Sequence, residues 1–115
     1  GMGAPVPGRK LVSLPAAEFV RRARNEALWP SFDAVQQKDW RFSYTAWTFF
    51  WDREIELRGK EIFLRFERVC VAAPDKCRSY FEYIYGTNLR TAVTAYQDEI
   101  RTGRFVPVDP PAKNQ

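Results

Sequence analysis

The sequence predicts an α+β fold: a small three-stranded antiparallel sheet over residues ~40–71, with an N-terminal helix and two C-terminal helices packed on one face. Three observations predict it. Apolar residues from Ala16 to Ala27 recur at helical spacing, apolar and polar residues alternate from Trp40 to Phe66, and helical spacing returns between Cys77 and Ile100. A small sheet with one apolar face needs a cover, and segregated helices provide it.

In the first helix, Ser13 is placed to cap and Pro15 suits a first turn, while Ala16, Phe19, Val20, Ala23 and Ala27 fall on one stripe. Glu18, Arg21, Arg22 and Asn25 take the opposite face. Pro30, after Trp29, stops the helix, and Ser31 to Lys38 reads as a loop or one short helical turn.

From Trp40 the period changes. Trp40, Phe42 and Tyr44 alternate with Arg41 and Ser43, and Trp47, Phe49 and Trp51 continue on odd positions, so a β-bulge or a bend at Thr45 and Ala46 restores them to one face. Ile55 and Leu57 alternate with Glu54, Glu56 and Arg58. Arg58-Gly59-Lys60 then supplies a turn, and Ile62, Leu64 and Phe66 alternate with Glu61, Phe63, Arg65 and Glu67 as the return strand of a hairpin. A helical reading exists, with Ile55, Ile62, Phe66 and Val69 on one face. It sets Gly59 in mid-helix at a cost of about 1 kcal/mol, so strands are preferred.

The last third is helical. Pro74 and Asp75 open a short helix with Cys77, Tyr80, Phe81 and Ile84 on one stripe, closed by Gly86. Thr87 or Asn88 caps a longer one, near residues 88–102, whose stripe is Leu89, Ala92, Val93, Tyr96 and Ile100 and whose end is Gly103.

At 115 residues the chain fits one core. The expected organisation is a flexible N-terminal arm over 1–12, a single domain over 13–106 and a flexible, Pro-containing tail over 107–115. Gly1, directly before Met2, reads as the remnant of a cleaved tag. Aromatic residues reach 16%, which argues against disorder. The balance of 18 Lys+Arg over 14 Asp+Glu gives +4, enough to permit an anionic partner and too little to demand one. No apolar run approaches the ~20 residues of a membrane span, and residues 1–10 lack the apolar stretch of a signal peptide, so the expected setting is cytoplasmic with no membrane contact.

Histidine is absent, which removes the commonest general base and zinc ligand. No catalytic residue, metal site or cofactor is expected. Gly59, Gly86 and Gly103 are isolated and form no phosphate loop. Cys70 and Cys77, with six residues between them, match no metal or redox spacing and are expected to be reduced, buried and slow to react. Asp52, Glu54, Glu56 and Glu61 form a carboxylate cluster suited in principle to a divalent cation or acid/base work. Alternation with Ile55 and Leu57, and the nearby Arg53, Arg58, Lys60 and Arg65, make it a solvated sheet face instead.

Two groups remain as candidate binding sites. Seven aromatics stand among the twelve residues Trp40 to Trp51, more than one face of one strand can bury. Trp40, Tyr44, Trp47, Phe49 and Trp51 are the candidate partner-binding residues. Arg21, Arg22, Arg24, Lys38 and Arg41 are the alternative, a basic patch for nucleic acid with stacking aromatics close by. The expected function is non-catalytic binding or assembly, with the aromatic sheet face contacting a protein partner, a second copy in a homodimer being the favoured one. Weak nucleic-acid contact through the arginines, and an apolar ligand pocket with Tyr44, Tyr80 or Tyr96 inside, are the rivals.

Overall fold

The computed structural model describes residues 13–24 and 40–110, whose regular structure is helical throughout. The elements are α1 (Ala16–Ala23), α2 (Trp40–Arg58), α3 (Lys60–Ala72), a 3₁₀ turn (Pro74–Lys76), α4 (Cys77–Tyr85) and α5 (Leu89–Thr102). Among the described residues there is no strand, so the α+β expectation and the three-stranded sheet over 40–71 are overturned.

The correction has a physical cause in α2. Its buried residues, Phe42, Ser43, Thr45, Ala46, Phe49, Phe50, Arg53 and Glu54, recur at helical spacing, but four of them are polar. Its exposed residues include Trp40 and Tyr44. Helical amphipathicity is thereby blurred, because α2 packs against α1, α3 and α5 and is covered on more than one side. The alternation of Trp47, Phe49 and Trp51 is real in the sequence, yet it places Phe49 on a different side of the helix from the two tryptophans.

Gly59 is the turn that the sequence predicts, set between helices rather than strands. Its φ of +96° is a conformation that L side chains rarely adopt, and its N–H closes α2 by donating to the Ile55 carbonyl at 2.8 Å. The chain neither runs a helix through Gly59 nor forms a β-hairpin. It breaks and restarts at Lys60.

The other helices follow the expected pattern with different caps. Pro15, not Ser13, precedes α1, and the amide of Ala16 donates to Asp109 Oδ1 at 2.7 Å. Leu14 N–H donates to Thr45 Oγ1 at 2.8 Å, and Arg41 donates to the Ser13 carbonyl at 3.1 Å, so the entry to α1 is tied to α2. Asn88 caps α5, its side chain accepting from Thr91 N–H at 2.8 Å. Pro107 is buried, so with Asp109 the tail packs on the domain as far as it is described. Ala27, Asn25, Trp29, Pro30 and the segment 31–38 lie outside the described residues, as does the arm 1–12.

The core joins aromatic rings from each of the described helices. Phe19 of α1 meets Phe42 and Phe49 at centroid distances of 5.1 and 5.4 Å, and Phe50 meets Tyr96 of α5 at 5.5 Å. Phe66 of α3 meets Phe81 of α4 at 5.6 Å. Tyr96 is fully buried, with its hydroxyl donating to the Ala46 carbonyl at 2.8 Å.

Cys70 and Cys77 form a disulfide, which corrects the expectation of free thiols. The 3₁₀ turn reverses the chain between α3 and α4 and brings the two Cα atoms to 4.6 Å, within bonding range. With Cys70 placed on a strand, nothing would have brought it there. Among the described residues no helix is long and apolar enough to cross a membrane.

Candidate aromatic interface

Four of the five aromatic candidates, Trp40, Tyr44, Trp47 and Trp51, are spaced by four, three and four residues along α2, which sets them on one stripe. The stripe emerges from the core as it runs toward the N-terminus of α2. Trp51, half-buried, packs on Phe63, Phe66 and Phe81 at 5.5, 5.2 and 6.1 Å. Trp47, also half-buried, stacks on Trp51 at 6.4 Å and meets the edge of Phe50 at 5.6 Å. Tyr44 and Trp40 are 43% and 46% exposed. Phe49 is buried against α1 and takes no part.

The basic group is divided by the fold. Arg22 is half-buried with its guanidinium 5.4 Å from the Phe42 ring centroid, and Arg41 is held on the Ser13 carbonyl. Arg21 and Arg24 are exposed, and Lys38 lies outside the described residues. The structure therefore brings no continuous phosphate cradle together from the described members.

The carboxylates are not one solvated face. Glu56 and Glu61 are exposed, but Glu54 is 2% exposed and Arg53 8%. Arg53 grips Glu99 of α5 with two hydrogen bonds, at 2.7 and 2.9 Å, and reaches Glu54 at 2.5 Å. Arg58 lies 3.9 Å from the other Glu54 oxygen and donates to the Tyr85 carbonyl at 2.8 Å. Burial raises the Glu54 pKa above its ordinary value although Arg53 and Arg58 oppose it. The hydrogen bonds from Arg53 lower that of Glu99. Tyr85, whose buried hydroxyl has no partner among the described residues, is pushed up to about 12, first by burial and then by the Glu54 charge.

This network joins α2 to α5, and it was missed because an Arg-Glu pair beside an aromatic run looks like surface. The arginine neutralises the buried carboxylate, and the arrangement is that of a structural ion cluster. A surface groove of about 430 Å³ is lined by Leu64, Glu67, Arg68, Val71 and Ala72, none of them a member of the cluster. Tyr44 is exposed, Tyr80 half-buried and Tyr96 sealed in the core, so the three do not form the polar lining of one pocket. No group of three or more His, Cys, Asp and Glu residues among those described is arranged to hold a metal ion.

Comparison of the chain with family models, with curated proteins and with solved structures returned no match.

Proposed function

We propose that the domain is a non-catalytic assembly module whose α2 stripe docks against an apolar helix, and that a second copy of the chain supplies that helix. The observation that carries this reading is the spacing of Trp40, Tyr44, Trp47 and Trp51. Steps of four, three and four are those of a helix–helix seam. The inner end of the seam already packs on α3 and α4 through Trp51, while the outer end presents Trp40 and Tyr44 to solvent. A seam continues best against another helix, and a two-fold pair covers the same patch on both chains at once. Trp and Tyr are also the residue types that concentrate binding energy at interfaces.

Exchanging Trp40 and Tyr44 together for Glu tests it. The double variant is expected to fold, since both side chains are exposed, and to sediment as a monomer at concentrations where the unmodified chain pairs. If the unmodified chain pairs and the variant pairs equally well, the stripe is not the contact. A chain that binds a nucleic acid with strong salt dependence and does not pair would move the reading to Arg21 and Arg24.

A further inference from the structure

We propose that the Cys70–Cys77 bond is a reversible thiol–disulfide exchange site, in which an external thiolate attacks Cys70 and Cys77 departs as the leaving thiolate. The two sulfurs sit at opposite helix ends. Cys70 lies in the last turn of α3, beside the carbonyl end, between Val69 and Val71. Cys77 is the first residue of α4 and stands between Lys76 and Arg78, with Asp75 the one acidic residue in the intervening turn. The positive end of a helix stabilises a thiolate, while the carbonyl end of a helix disfavours one; Arg68 near Cys70 and Lys76 and Arg78 near Cys77 put cations on both sides, so the helix ends set the difference. Exchange goes faster when the departing sulfur is the better-stabilised anion. Both cysteines are half-buried, so the bond is not sealed in the core. The corner that it closes is otherwise lightly held on one side, because Phe66 is the one buried residue that α3 contributes.

The chemistry balances with two equivalents of an external thiol. The first thiolate forms a mixed disulfide with Cys70, breaks the internal S–S bond and releases the Cys77 thiolate. A second thiolate attacks the external sulfur of that mixed disulfide and leaves Cys70 as a thiol. The two external thiols are oxidised to their disulfide, and the protein takes up two electrons. The co-reactant is a low-molecular-weight thiol or a dithiol protein.

The native chain is mixed with a limiting amount of glutathione at pH 7, quenched with iodoacetamide and mapped by mass spectrometry. The expected product carries glutathione on Cys70 and the alkyl group on Cys77. Glutathione found on Cys77, or equally on both, overturns the assignment, and a bond that resists millimolar dithiothreitol until denaturant is added overturns the site. As a second measure, the lone thiols of C70S and C77S are alkylated at pH 7. Cys77 in C70S is expected to react roughly tenfold faster than Cys70 in C77S, because the thiolate is the reacting form and a helix N-terminus stabilises it. Equal or reversed rates overturn the proposed asymmetry.

Discussion

Ala16 and Asp109, at opposite ends of the described chain, are joined by a 2.7 Å hydrogen bond in which the first amide of α1 donates to the Asp109 carboxylate. The cap that a local residue usually supplies comes here from 93 positions away. D109A is therefore expected to lower stability by about 1 kcal/mol, the usual effect of losing a cap, and D109N to retain most of it. Urea unfolding of the two variants measures the difference.

Glu54 and Glu99 share Arg53, yet their pKa values move in opposite directions, so they give opposite pH dependences. The raised pKa of Glu54 contributes stability that is present below its unfolded value of 4.5 and lost as pH rises through the folded value. The lowered pKa of Glu99 contributes stability that is present above 4.5 and lost as pH falls. E54Q should thus gain on the unmodified chain as pH rises above 4.5, and E99Q should gain on it as pH falls below 4.5. Urea midpoints of the three chains from pH 3 to 7 check both signs. Replacing Arg53 with Met leaves Glu54 buried without its closest cation and should cost about 3–5 kcal/mol.

Two buried tyrosines separate a made hydrogen bond from an unmade one. The Tyr96 hydroxyl donates to Ala46, whereas the buried Tyr85 hydroxyl has no partner among the described residues. Y96F is expected to destabilise by about 1 kcal/mol and Y85F to be neutral or mildly stabilising. Thermal unfolding of both ranks them.

The disulfide closes a short loop, so its effect on the unfolded chain is modest. Replacing both cysteines by Ser should lower stability by about 2 kcal/mol on loop-closure grounds. Hydrogen exchange should quicken first in the last turn of α3, next to Cys70. Uniform loss of protection across all helices would mean that the corner does not open separately.

The sequence made some elements plain and hid others for identifiable reasons. The stripes of Phe19 and Ala23, of Phe81 and Ile84, and of Val93, Tyr96 and Ile100 are simple, and helices stand there. Over 40–71 three features combined to look like strand. Trp47, Phe49 and Trp51 fit a period of two as well as a helix, Gly59 argued against one continuous helix, and Arg53 and Glu54 occupy interior positions that any hydrophobic pattern assigns to water. Of the candidate interface, the aromatics Trp40, Tyr44, Trp47 and Trp51 are legible in the sequence and the helix sets them in a line; Phe49 shares a face with Trp47 and Trp51 only on a strand, and on the helix it is buried. The pairing of Cys70 with Cys77 depends on the corner between α3 and α4, and the bond of Asp109 to Ala16 on the tail packing back, neither of which a local pattern encodes.

If the α2 stripe pairs two copies of the chain, as proposed, the molar mass in solution must depend on concentration. One chain weighs 13.4 kDa. Light scattering across the micromolar range should show the mass rising from that value to twice it as concentration increases, with W40E/Y44E remaining at the single-chain mass. A mass of 13.4 kDa at every concentration up to roughly 100 μM would contradict pairing through the stripe.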